Sequence, residues 1–228
     1  KYGTPLYIFT EKEIREQCQK LKSAIPYENK QIRYACKALT LQAILKIIKS
    51  EGLNIDAVSM NEVIRAQRAG FSNDQILYTG EGANEESFKN LLEQNILINC
   101  SSIDQIKLIG SIKRGASCSI RINPGKGHGE TKKTDTGGPS SKHGIYFDQL
   151  DEVKTVLKEY ELRLIGIHSH IGSGSKPKDW QKWITTIDNT LKIVLKDFGR
   201  YNIDFVDIGG GLPVAYKEDE TSMPVNDW

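Results

Sequence analysis

The sequence predicts an α/β fold, an incomplete (β/α)8 barrel with about seven βα units. Three observations carry that reading. Short β-branched runs alternate with longer stretches of helical periodicity, and regular alternation of this kind implies parallel strands joined by crossover helices. No GxGxxG fingerprint opens any unit, which sets the barrel ahead of a doubly wound open sheet, the structural alternative. The composition, 38% hydrophobic and 26% charged over 228 residues, is that of a globular chain long enough for one large domain or two small ones.

Taken in order, residues 6–9 (Leu-Tyr-Ile-Phe) read as an opening strand. Thr10 then caps a helix, with Glu13 as its capping-box partner. A strand at 32–35 precedes a helix at 41–50 that places Leu41, Ile44, Leu45 and Ile48 on one face. A strand at 54–58 leads to a helix at 61–69 closed by Gly70. A strand at 76–78 is followed by a helix over about 85–94, and a strand at 96–98 by a helix from about Ser102. After a strand at 117–122, a polar, glycine-rich loop covers 124–144. A helix at 149–159, a strand at 164–167, a helix over about 179–196 and a strand at 205–208 complete the series. A barrel one strand short exposes two unpaired edges. The chain is therefore expected to be a fragment of a longer protein, or to receive its eighth strand from further residues.

Charge and cysteine content narrow the function. Lys and Arg number 31 against 29 Asp and Glu, a net charge of +2, which supplies no electrostatic case for nucleic acid or an anionic membrane as partner. No apolar run is long enough to span a bilayer, and no signal-peptide core opens the chain. Cys18, Cys36, Cys100 and Cys118 form no CxxC pair, which argues against zinc and for reduced thiols in a cytoplasmic protein.

Active-site groups of such barrels sit at the carboxyl ends of strands. Lys37, in Tyr34-Ala35-Cys36-Lys37-Ala38, falls just past a strand, where partial desolvation would leave a nucleophilic amine; a solvated lysine is the plain alternative. His168 and His170, in His168-Ser169-His170-Ile171-Gly172-Ser173-Gly174, follow another strand. No further cluster completes a metal site, whereas the Gly-Ser-Gly turn suits an anion or is simply a flexible turn. Asp207-Ile208-Gly209-Gly210-Gly211 lets backbone approach a ligand closely and offers N–H donors to a phosphate, although taken alone it reads as a loop. Arg121, in Arg121-Ile122-Asn123-Pro124, contacts an anionic group or forms a rim salt bridge. Asp56, Ser59 and Glu62 occupy a further strand end, where helix capping by Ser59 accounts for the segment.

The order of these motifs resembles the pyridoxal-phosphate decarboxylases with an alanine-racemase-like, TIM-type barrel, and within them the diaminopimelate decarboxylase branch. The stretch from Gly127-His128-Gly129 through Thr136-Gly137-Gly138-Pro139-Ser140-Ser141-Lys142-His143-Gly144-Ile145 is similar to the long loop of a bacterial branch of that enzyme, and the opening Gly3-Thr4-Pro5-Leu6-Tyr7 also fits. The resemblance implies pyridoxal 5'-phosphate as cofactor, with Lys37 as its covalent anchor and proton carrier. It implies His170 stacked on the pyridine ring, Ser173, Gly209, Gly210 and Gly211 around the phosphate, and Arg121 and Asp56 near the ring. The implied reaction is decarboxylation of the amino acid meso-2,6-diaminopimelate to L-lysine and CO2, in a homodimer with shared active sites.

The family's Glu-Pro-Gly-Arg segment and C-terminal β-domain have no counterpart among these residues. Residues 1–10 are accordingly expected to form a strand that pairs with that β-domain, residues 11–228 a partial cofactor-binding barrel, and activity is assigned to the full-length protein. His143 stands where many relatives carry Phe. Alternatives are an ornithine, arginine or carboxynorspermidine decarboxylase of the same fold, a non-catalytic pyridoxal-phosphate carrier barrel, and a non-catalytic relative that binds a partner protein. The Thr-Gly-Gly-Pro-Ser-Ser-Lys-His-Gly loop favours diaminopimelate among them.

Overall fold

A computed structural model describes residues 2–82, 84–131, 134–174, 180–217 and 225–227. In chain order the elements are α1 (Glu11–Ala24), β1 (Arg33–Ala35), α2 (Gln42–Ser50), β2 (Asn54–Ala57), α3 (Met60–Arg68), β3 (Ile76–Tyr78) and α4 (Glu85–Glu93). There follow β4 (Leu97–Cys100), α5 (Ile103–Ile112), β5 (Ser117–Ile122), α6 (Leu150–Glu159), β6 (Arg163–Ser169), α7 (Trp180–Phe198) and β7 (Phe205–Asp207). The chain divides into two compact units, Lys1–Ile76 and Leu77–Trp228.

In the first unit β1 and β2 pair in parallel, with Tyr34 opposite Ile55 and Ala35 opposite Asp56. Parallel neighbours need a crossover, and α2 supplies it by burying Ile44, Leu45 and Ile48. Each such side chain contributes about 1.5–3 kcal/mol when fully removed from water. Leu41 departs from expectation. It sits at the N-cap of α2, before the helical repeat begins, and remains 48% exposed. Thr10 occupies the N-cap of α1, but its hydroxyl makes no capping bond. Ser59 does cap, accepting the Glu62 N–H at 3.3 Å, while the Glu62 carboxylate accepts the Val58 N–H at 2.8 Å. One carboxylate ties α1 to the end of α2: Arg15 donates to Glu51 at 2.6 Å and Gln19 donates to its second oxygen. The Arg15 guanidinium holds the Glu51 carboxyl below the usual carboxylate range.

The segment expected as an opening strand, residues 6–9, belongs to no ladder among the described residues, and its four side chains are exposed. A strand needs a neighbour for its N–H and C=O groups, and the first unit offers these residues none.

In the second unit β3 to β7 are neighbours in chain order, all parallel. One face of β4 and β5 is apolar and buried (Ile98, Cys100, Cys118, Ile120, Ile122), while the alternate residues Asn99 and Ser119 are polar and buried too. The returns into β4 and β6 repeat one device. Asn95 and Glu161 take the left-handed conformation, at φ 55° and 56°, and the next amides, of Ile96 and Leu162, bond back to Leu91 at 2.9 Å and Leu157 at 2.8 Å. β6 runs further than the expected 164–167 and takes in His168 and Ser169, while β7 stops at Asp207, one residue short of the expected end. Among the described residues no helix is long and apolar enough to cross a membrane, and no group of three or more His, Cys, Asp or Glu could hold a metal ion.

Candidate active site

The carboxyl ends of β6 and β7 meet through backbone. The Gly174 N–H donates to the Gly211 carbonyl at 2.9 Å, and the Gly210 N–H to His170 Nδ1 at 3.3 Å. His170 Nδ1 is thus an acceptor, and in the neutral ring its proton sits on Nε2. Two glycines of the turn after β7 are sterically required. A Cβ added at Gly209 (φ 74°) would lie 2.5 Å from His170 Nδ1, and one at Gly211 (φ 113°) 2.2 Å from the Gly172 carbonyl oxygen. Gly210 differs, since a Cβ there would meet nothing within 4 Å. Asp207 accepts the Gly209 N–H at 2.8 Å. The Gly211 N–H and the Ser173 hydroxyl make no hydrogen bond among the described residues. Paired glycine turns with open space at the middle glycine and donors to spare form a cradle for an anion.

The loop over 124–144 clasps this cradle. His128 N–H donates to the Ile171 carbonyl at 3.1 Å, Glu130 N–H to Ser173 at 3.0 Å, and Ser173 N–H to Thr134 at 3.1 Å. Asn123 organises the loop. Its Oδ1 accepts the N–H groups of Gly125 and Gly138, each at 2.9 Å, and its Nδ2 donates to the carbonyls of Gly138 and His143 at 3.1 and 3.0 Å. Asn123 is fully buried, so these bonds stand in for the water it has lost.

Register places Arg121 opposite His168, and His168 opposite Asp207, in one row across β5, β6 and β7. His168 is buried, and its Nδ1 bonds to Asn99 Nδ2 at 3.0 Å, while the Ser119 hydroxyl donates to Asn99 Oδ1 at 2.9 Å. The two histidines of the His-x-His motif are therefore held by different partners, His168 by the β4–β5 polar pair and His170 by the glycine turn. Arg121, 11% exposed, donates to Glu81 Oε1 at 3.4 Å, and the same oxygen accepts from His143 Nδ1. The sequence reading passed over Asn99, Asn123 and Glu81. A buried polar residue inside an apolar strand, as in Leu-Ile-Asn-Cys, was the available signal for Asn99; an acid in the β3–α4 loop gave none.

In the first unit Lys37 lies in a single 3-10 turn, Cys36–Ala38, directly after β1 as expected, but it is exposed. The partial desolvation proposed for it from the sequence is not present. One residue earlier the Cys36 thiol is fully buried, and burial, reinforced by the Glu62 and Asp56 charges, pushes it up to about 11. Asp56, half-buried in β2, faces the same turn through its pairing with Ala35.

The family model for the pyridoxal-dependent decarboxylase, pyridoxal binding domain, matches residues 11–228. The chain belongs to the pyridoxal-dependent decarboxylases. Its relatives include the diaminopimelate decarboxylase of Buchnera aphidicola subsp. Schizaphis graminum, 36% identical over 96% of this chain and 51% of the relative. That of Methanothermobacter thermautotrophicus is 35% identical over 100% of this chain and 54% of the relative. The crystal structure of diaminopimelate decarboxylase from Helicobacter pylori complexed with L-lysine matches with a TM-score of 0.90 at 29% identity, over 99% of this chain and 58% of that one. The chain spans about half the length of the curated relatives it matches. The fold class is that of these decarboxylases, a partial TIM-type (β/α)8 barrel, as the alternation predicts.

Pyridoxal 5'-phosphate is the cofactor of this family, and the cradle fits its phosphate. Gly210 leaves the approach open, and the Gly211 N–H and the Ser173 hydroxyl are donors of the kind a phosphate takes.

Proposed function

We propose that the protein decarboxylates meso-2,6-diaminopimelate at its D-centre, yielding L-lysine and CO2. The observation that carries this reading is the pair of interlocked glycine turns with His170 pinned to Gly210, in a chain whose relatives are named for that reaction. Ser173, Gly209, Gly210 and Gly211 would hold the cofactor's phosphate, and His170, fixed through Nδ1, would lie beside its ring. In the same reading Arg121 and Asp56 would contribute near the ring. Lys37 would be the covalent anchor, and its amine, when free, would carry the proton to the carbon that loses its carboxylate. The bound cofactor supplies the electron sink for the pair left by CO2.

The full-length protein, a homodimer in the cytoplasm, is the active species in this reading, with residues 1–10 a strand pairing outside the 11–228 domain. The exposure of residues 6–9 and the start of the family match at residue 11 support the last point. The four buried, free thiols suit a reducing compartment.

The test is direct. Full-length protein reconstituted with pyridoxal 5'-phosphate should show a visible absorbance band that Lys37→Ala removes, and should release CO2 from meso-diaminopimelate but not from ornithine. Release from ornithine instead would replace the substrate, and a protein without the band would end the enzyme reading.

A further inference from the structure

Glu81 lies in the loop between β3 and α4, and three independent contacts hold it. From α5, the buried Gln105 side chain donates to the carbonyls of Gly80 at 3.0 Å and Glu81 at 3.3 Å, while its Oε1 accepts the Ser101 N–H at 2.7 Å. The backbone of Glu81 is thereby tied to the end of β4. Its carboxylate spends one oxygen on two donors, the Arg121 guanidinium from the end of β5 and His143 Nδ1 from the close of the 124–144 loop. His143 is itself anchored, since its carbonyl accepts from the buried Asn123.

We propose that Glu81 is a positioning residue that sets the Arg121 guanidinium at the mouth of the site, with His143 as the second arm of the clamp. The geometry suits this role better than that of a rim salt bridge. A rim pair between long side chains contributes little and loses side-chain entropy when held in one geometry. Here the guanidinium is almost fully covered, the acceptor's backbone is fixed by a buried amide, and the acceptor's carboxylate is fixed by an imidazole. Arg121 is the long side chain that these fixed groups orient. It shares its row of the sheet with His168 and Asp207, which bonds the first glycine of the cradle. Glu81 touches neither the cradle nor any reacting atom in this assignment and acts only through Arg121. The inference rests on the proposed function in one respect, that Arg121 belongs to the active site.

The experiment uses the full-length protein with pyridoxal 5'-phosphate. Arg121→Ala, Glu81→Gln, Glu81→Ala and the Glu81→Ala/Arg121→Ala double variant are compared in cofactor affinity, visible circular dichroism of the bound cofactor, kcat and KM measured separately, and apoprotein melting. Glu81→Gln and Glu81→Ala should change the dichroism in the same sense as Arg121→Ala and lower kcat by about 10- to 100-fold, the scale of a small misplacement. Apoprotein melting should barely move, and the double variant should be no worse than Arg121→Ala alone.

Losses that multiply in the double variant, or a Glu81→Gln protein with wild-type dichroism and kinetics beside an impaired Arg121→Ala, overturn the role. A wild-type Arg121→Ala removes it as well, and Lys37→Ala read in the same assays shows whether the wider function has failed too. If Glu81→Ala does not fold, His143→Phe probes the clamp from the other side. It keeps a ring and removes the donor, so cofactor affinity should fall about several-fold, and wild-type behaviour there together with a wild-type Glu81→Gln overturns the proposal.

Discussion

The turn after β1 and the paired turns after β6 and β7 bear the two halves of the proposed chemistry, and they are built in opposite ways. Lys37 sits on one exposed turn whose buried anchor is its neighbour Cys36. The glycine turns are interlocked by backbone bonds, clasped by the long loop and packed so closely that a Cβ at Gly172, Gly209 or Gly211 is forbidden. A nucleophile must swing between holding a cofactor and releasing it, so an open turn suits it. A phosphate anchor must not move, so its donors are pre-organised and its ordering cost is met on folding.

The sharpest way to break this contrast is at the glycines. Gly209→Ala puts a Cβ against His170 at a left-handed φ, and we expect about 1–3 kcal/mol of lost stability together with a 10- to 100-fold weaker cofactor affinity. Gly210→Ala meets nothing, so melting should be unchanged while the added methyl at the open position still weakens the cofactor. Thermal melts and cofactor titrations separate the two, and equal behaviour of both variants would remove the distinction between packed and ligand-facing glycines.

Next in size is the polar pair under the row of site residues. Asn99→Ala strands Ser119 and deprives His168 of its Nδ1 partner, which should cost about 1–3 kcal/mol in urea unfolding. A loss below about 0.5 kcal/mol would mean that water replaces the amide.

The exposed-turn side of the comparison is sharpened by Cys36. With its thiol pushed up to about 11, alkylation of the native protein should be slow at pH 8 and rise only toward pH 11, although Lys37 beside it is open to reagent. A rate with an ordinary thiol profile would show that the turn opens readily.

The smallest effect concerns Glu51. Because Arg15 lowers its folded value, its contribution is complete above the ordinary carboxylate range and is lost as pH falls through the lowered folded value. Glu51→Gln should therefore flatten a slight part of the acid limb in urea midpoints between pH 3 and 7, leaving neutral behaviour nearly unchanged.

Much of this was legible in the residues. Apolar runs and the 3.6-residue helical period found the strands from 32 onward and the crossover helices between them, because short β-branched runs and longer amphipathic stretches alternate along the chain. The Ser59 cap was readable for the same local reason. Leu41 and Thr10 were misjudged because residue type and spacing say which conformation a segment favours and nothing about which contacts its side chain finds.

By itself the sequence determined the alternation, the order of the motifs and hence the family, since each of these depends on nearest neighbours and spacing. Tertiary structure alone decided that His168 and His170 answer to different partners, that Asn123 ties the long loop, and that one oxygen of Glu81 gathers Arg121 and His143. Those contacts join residues tens of positions apart. Their geometry follows from how β3 to β7 stack side by side, which no local pattern encodes.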